Sequence, residues 1–79
     1  MLGKPDPEVW TQAAHRLRVP TRRCVVFEDA LVGVQAARAA GMRAIGVTTA
    51  HTDAELIAAG AERTIPDFQG LEWSRLAHP

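Results

Sequence analysis

Seventy-nine residues with nine basic and nine acidic side chains, no net charge and 47% hydrophobic residues describe a single small domain, residues 1–79. Neither a basic excess nor an acidic tail recommends nucleic acid, an anionic membrane or a polycationic partner, and the apolar stretches break too soon to span a bilayer. The single cysteine, Cys24, rules out an internal disulfide and an all-cysteine metal site. Met1-Leu2-Gly3-Lys4-Pro5 lacks the apolar core of a signal peptide, so the cytoplasm is the expected compartment. At this length folding hides only about 60–65% of the unfolded surface, which makes the core marginal unless something else covers it.

Asp6-Pro7-Glu8 reads as a helix start, with Asp6 as N-cap, Pro7 at the first helical position and Glu8 favourable to the dipole. Trp10, Ala13, Ala14 and Leu17 fall at i, i+3, i+4, i+7 and form one apolar face. Val19-Pro20 is expected to end this helix, because the residue before proline is pushed out of the α region. Cys24-Val25-Val26-Phe27 is a continuous apolar run of the kind found in a strand buried on both faces.

Leu31 to Ala40 reads as a crossover helix, and Gly41 stands where a left-handed C-cap belongs. Arg43-Ala44-Ile45-Gly46-Val47-Thr48 is a second strand, at a spacing that fits a right-handed βαβ unit. Thr52-Asp53-Ala54-Glu55 is a capping box before Leu56-Ile57-Ala58-Ala59, and Gly60 closes that helix. Arg63-Thr64-Ile65 reads as a short third strand, placed at an edge by Pro66. Residues 67–79 read as a tail with one amphipathic stretch, Leu71-Glu72-Trp73-Ser74-Arg75-Leu76. The expected fold class is therefore α/β, a partial Rossmann-like parallel sheet of two to three strands with flanking helices.

The chemistry concentrates where the first strand ends. Glu28 and Asp29 come directly after the apolar run, and ligands of parallel α/β sheets bind outside the carboxyl ends of the strands. Adjacent carboxylates there suit a hard cation such as magnesium, which takes oxygen ligands and keeps several waters. The alternative is that both acids only cap the helix beginning at Leu31 and complement its dipole. Lys4 stands between Gly3 and Pro5, which constrain the backbone on both sides, and a positioned ammonium can neutralise a phosphate or keep an acidic nucleophile ionised. His15, His51 and His78 have no ligand spacing, Cys24 and Trp10 read as core residues, and Trp73 reads as packing on the domain or facing a partner. Neither a P-loop nor a dinucleotide fingerprint is present.

Gly3-Lys4-Pro5-x-Pro7-Glu8, about twenty residues, and then Phe27-Glu28-Asp29-Ala30-x-x-Gly33-Val34-x-Ala36-Ala37-x-x-Ala40-Gly41-Met42 closely resembles the haloacid dehalogenase superfamily. The likeness is strongest to the branch containing beta-phosphoglucomutase and phosphoglycolate-phosphatase-like hydrolases, and it runs from Gly3 to about Phe68. The resemblance implies a Rossmann-like parallel sheet, an aspartate nucleophile that is transiently phosphorylated, a magnesium cofactor and a small phosphorylated metabolite as substrate. It implies that Lys4 is the third-motif lysine, in contact with the phosphate and the nucleophile, and that Glu28 and Asp29 are the fourth-motif acids that hold magnesium. Ala30 departs from the serine often found after that pair.

The family's Asp-x-Asp-Gly motif has no counterpart here, since Asp6, Asp29, Asp53 and Asp67 never form an Asp-x-Asp after an apolar strand. The second-motif serine or threonine and the helical cap are likewise unmatched. The chain thus resembles the C-terminal half of such an enzyme's core, beginning just before the third motif. The resemblance therefore implies a phosphatase or phosphomutase fragment without its nucleophile, inactive alone. The chain is also expected to be a homo-oligomer or to require the missing N-terminal half, because its first strand would keep an open edge. The competing reading is a non-catalytic α/β interaction module, or one half of a split enzyme, in which Glu28 and Asp29 serve only as caps.

Overall fold

The computed structural model describes residues 6–67. Lys4, the stretch from Leu71 to Leu76 with Trp73, and His78 lie outside the described residues.

Helix α1 spans Glu8–Leu17 and starts largely as the sequence dictates. Pro7 already has helical dihedrals, φ −71° and ψ −10°, and Asp6 Oδ1 accepts from the Glu8 N–H at 2.9 Å, satisfying one orphan donor of the first turn. The helix ends earlier than Val19-Pro20 implies. Arg18 turns left-handed, φ 57° and ψ 40°. Its N–H bonds to His15 O, and the Val19 N–H bonds to Ala14 O, both at 3.1 Å. This is the Schellman pair of bonds, and it closes the helix before the proline can act. The expected apolar face is only partly used: Ala14 is buried and Trp10 packs on the core, but Leu17 is 71% exposed and Ala13 is exposed as well. Leu17 sits one turn beyond Ala14 and projects past the buried cluster.

A single 3-10 turn, Thr21–Arg23, leads into β1 (Val25–Glu28), followed by α2 (Leu31–Ala39), β2 (Arg43–Val47), α3 (Asp53–Ala59) and β3 (Arg63–Ile65). The strands form one parallel sheet in the order β1-β2-β3, with Val25 opposite Arg43, Phe27 opposite Ile45 and Val47 opposite Ile65. The α/β class and three-stranded sheet agree with the expectation. Among the described residues β3 is an edge strand, in keeping with Pro66, and the outer edge of β1 pairs with no strand. Gly41, at φ +81°, supplies the left-handed turn after α2, and Gly60, at φ +122°, does so after α3. The Thr52–Glu55 capping box forms in full.

All three helices meet one face of the sheet. Ala14 of α1, Val34 and Ala37 of α2, and Leu56 of α3 join Val26 and Ala44 in a single buried cluster. Alanines along α2 allow close approach to the strands, and Gly46 allows the same for α3. A Cβ at Gly46 would stand 2.9 Å from Leu56 Cβ, and Leu56 is fully buried. Cys24 packs on the edge of this cluster, with its Sγ 3.5 Å from Pro20 O. By strand alternation Val25, Phe27, Ile45, Val47 and Ile65 point to the opposite face. That face is as apolar as the first, consistent with an α/β sheet that is covered on both sides.

Candidate functional site

The parallel sheet brings two strand ends side by side, and the acidic pair stands at the first of them. Glu28 closes β1 and Asp29 opens the turn into α2. Their side chains take different paths. Glu28 Oε1 accepts from the Ala30 N–H at 3.1 Å, and Ala30 is the extended residue from which α2 starts, φ −95° and ψ 140°. The glutamate lies back across the first turn of the helix, so that a Cβ at Gly33 would fall 2.3 Å from Glu28 Cγ and Cδ. Glu28 thus accepts from the residue just before α2, although α2 has no side-chain cap bond at its own N-cap, and the Glu28 Oε2 has no described partner.

Asp29 is exposed. Its Oδ2 lies 3.4 Å from the hydroxyl of Thr49, at the outer limit of a hydrogen bond. Phe27, Glu28, Asp29, Val47 and Thr49 line a shallow pocket of about 330 Å³ between the ends of β1 and β2. This is the crevice position at which parallel sheets bind ligands. Thr49 is absent from the sequence reading of the site. Its signal was the Thr48-Thr49 pair just after the apolar run of β2, which the βαβ pairing sets beside Asp29.

The first turn of α3 directs its acids elsewhere. Glu55 bonds the Thr52 N–H at 2.9 Å as part of the capping box. That backbone bond, then the Thr52 hydroxyl and His51 nearby, hold its carboxyl below the usual carboxylate range. His51 Nδ1 stands 3.7 Å from Glu55 Oε1, and Asp53 accepts from the Thr64 hydroxyl. Among the described residues no group of three or more His, Cys, Asp or Glu could hold a metal ion. The donor set fits magnesium in part: an exposed Asp29 carboxylate and Glu28 Oε2 are hard oxygen ligands, and water or groups from elsewhere must fill most of the six positions. At the far end of the sheet Arg43 and Glu62 form a two-pronged ion pair of 2.8 and 2.9 Å. It lowers the carboxyl of Glu62 and raises the guanidinium of Arg43, and it braces β2 against β3 with no part in the pocket.

The sequence of residues 1–71 matches the family described as HAD-hydrolase-like. Over 68 residues, 86% of this chain and 6% of the relative, it is 56% identical to the chloroplastic protein SUPPRESSOR OF QUENCHING 1 of Arabidopsis thaliana. Over 74 residues, 94% of this chain and 34% of the relative, it is 40% identical to validoxylamine A 7'-phosphate phosphatase of Streptomyces hygroscopicus subsp. limoneus. Among solved structures, a conserved haloacid dehalogenase-like protein of Agrobacterium tumefaciens superposes with a TM-score of 0.83 at 40% identity, covering 94% of this chain and 36% of that one. The chain thus spans about a third or less of these relatives. With its parallel sheet, its acidic strand end and a family match over nearly its whole length, the chain belongs to the haloacid dehalogenase-like hydrolases.

Proposed function

We propose that this chain supplies the metal-binding end of a magnesium-dependent phosphatase or phosphomutase acting on a small phosphorylated metabolite in the cytoplasm. The observation that carries the reading is Asp29, exposed at the carboxyl end of β1 in a pocket it shares with Thr49. Asp29 holds the cation, Glu28 stands beside it with one oxygen available, and Lys4 contacts the phosphate. Bound magnesium would neutralise charge on the transferring phosphoryl group. The aspartate nucleophile comes from a segment outside this sequence, so the chain alone does not turn over. The edge of β1 that pairs with no strand among the described residues takes up that segment or, failing it, a second copy of the chain.

A magnesium titration followed by amide NMR tests the site. Shifts should centre on Asp29, Ala30 and Thr49 and saturate only at millimolar metal. Submicromolar binding, or shifts that bypass these residues, would refute it. Alongside, the isolated chain with an aryl phosphate and magnesium should not exceed the metal-only control; hydrolysis abolished by Asp29→Ala would overturn the fragment reading. The bond from the Ala30 N–H to Glu28, at the start of α2, favours a second reading, a non-catalytic α/β module. That reading requires Asp29→Asn to leave magnesium binding unchanged.

A further inference from the structure

The chain is neutral overall, yet its described charges are sorted by end. Glu28, Asp29 and Asp67 lie at or just past the carboxyl ends of strands, and Asp53 and Glu55 open α3. Asp6 and Glu8 begin α1, whose far end leads into the start of β1. All seven described arginines occupy the opposite end: Arg16 and Arg18 at the close of α1, Arg22 and Arg23 on the 3-10 turn, Arg38 late in α2, and Arg43 and Arg63 at the starts of β2 and β3. The one described carboxylate there, Glu62, is taken by Arg43 at 2.8 Å, with Arg63 3.8 Å away. Arg38 donates to Met42 O. Arg16, Arg18, Arg22 and Arg23 are exposed, and none makes a side-chain hydrogen bond or ion pair with another described residue.

Leu17 and Val19 flank Arg18 in sequence, and Val9 and Leu17 line a surface groove on α1 together with Arg16. Leu17 is 71% exposed and Val19 37% exposed, and Val9, two turns up the same helix, is 62% exposed. A surface meant only for water would interleave carboxylates with arginines and bury its leucine. Arginine is enriched at protein–protein contact surfaces and among the residues that carry their binding energy, and the guanidinium fork pairs with carboxylates through two parallel bonds.

We propose that residues 15–23 form a docking surface for an acidic protein segment that carries apolar side chains, carboxylates pairing with Arg16, Arg18, Arg22 and Arg23 while an aliphatic group covers Leu17. Nucleic acid fits less well. It offers no aliphatic counterpart for Leu17, and the acidic end of the molecule repels a long polyanion. The surface is remote from the pocket at the carboxyl end, so it stands whether or not the phosphoryl-transfer reading holds.

The probe is a fluorescein-labelled peptide alternating glutamate and leucine, titrated with the full chain, with polyglutamate of equal length and duplex DNA run in parallel. Binding should shift amides within residues 15–23 and weaken as salt shortens the Debye length from about 30 Å to about 3 Å. The double variant Arg18→Glu, Arg22→Glu should bind at least about tenfold more weakly. Leu17→Ala should weaken the leucine-containing peptide selectively. All these side chains are exposed, so far-UV circular dichroism of each variant should match the parent. No binding at millimolar peptide, or equal affinity for polyglutamate or DNA with no response to Leu17→Ala, overturns the proposal.

Discussion

Replacing Gly33 by alanine should have opposite signs in two backgrounds, and the difference measures how firmly Glu28 is held against α2. Alanine is favoured over glycine in a helix by about 0.8–1.0 kcal/mol, so at a vacant site Gly33→Ala stabilises. Here the new Cβ would lie 2.3 Å from Glu28 Cγ and Cδ and 2.7 Å from Oε2, inside any tolerable contact. Glu28 must then swing away. It loses the bond to the Ala30 N–H, about 0.5–1.5 kcal/mol, and enters a poorer rotamer at about 0.5–1.5 kcal/mol. The net in the parent is a destabilisation of about 0–2 kcal/mol, once the helix-propensity gain is subtracted. In the Glu28→Ala background nothing occupies the space, and the same substitution should stabilise by about 1 kcal/mol. The coupling in the double-mutant cycle is therefore about 1–3 kcal/mol. Urea unfolding of the four proteins, followed by far-UV circular dichroism at constant m, measures it. Additive effects, with Gly33→Ala stabilising both backgrounds equally, would show that Glu28 does not lie across the helix.

Gly46→Ala should destabilise by about 1–3 kcal/mol through overpacking, because its Cβ would meet buried Leu56 at 2.9 Å; the same unfolding assay detects it. Arg18→Gly should stabilise by about 0.5–1 kcal/mol, since Arg18 holds a left-handed conformation that glycine adopts freely, and a lowered urea midpoint would contradict this. Arg43 holds the Glu62 carboxyl below its usual range, so the stability from that pair is complete above the ordinary carboxylate pKa and fades as acid protonates the folded carboxyl. Glu62→Gln should accordingly flatten the acidic limb of a stability–pH profile, and an unchanged limb would refute the assignment. Inorganic phosphate should shift the Ala30 and Thr49 amides only when magnesium is present; equal shifts without the metal would mean that the pocket accepts the anion unaided.

Local signals placed most elements. The Thr52–Glu55 box, Gly41 and Gly60 fixed helix ends through backbone chemistry written in single residues, and the apolar runs from Cys24 and Arg43 gave strands displaced by one residue at most. The sequence placed the end of α1 at Val19-Pro20, because proline is the visible stop. The left-handed Arg18 acts first, and an arginine in that conformation leaves no mark in the sequence. The burial of α1 was half legible. Periodicity named Trp10, Ala13, Ala14 and Leu17, but how far along the helix the core extends depends on the sheet beneath it. At the site, the adjacent carboxylates at a strand end were legible in the sequence, and the structure sets both beside the pocket between β1 and β2. Their division of labour did not show, because the turn of Glu28 onto α2 depends on the missing side chain at Gly33, and the approach of Thr49 to Asp29 depends on strand pairing across twenty residues.

The sorting of charge also constrains how this end of the sheet could meet a phosphate. A phosphate ester entering the pocket faces Asp29 and Glu28 at once, with Asp53 and Glu55 in the first turn of α3 and no described arginine or lysine at that end. Like charges about 4 Å apart repel by about 4 kcal/mol at a protein surface, as much as two backbone donors return through charge-assisted bonds of about 1.5–3 kcal/mol each. The same carboxylates that repel an anion attract a divalent cation, so a cation bound there would favour an anionic ligand beside it. Under the proposed function Lys4 brings one positive charge to the phosphate. One ammonium offsets one carboxylate, and two adjacent acids leave a second negative charge that a magnesium ion on Asp29 would balance. The acidic pair is thus a liability for a bare phosphate-binding surface and an asset for one that recruits its metal first.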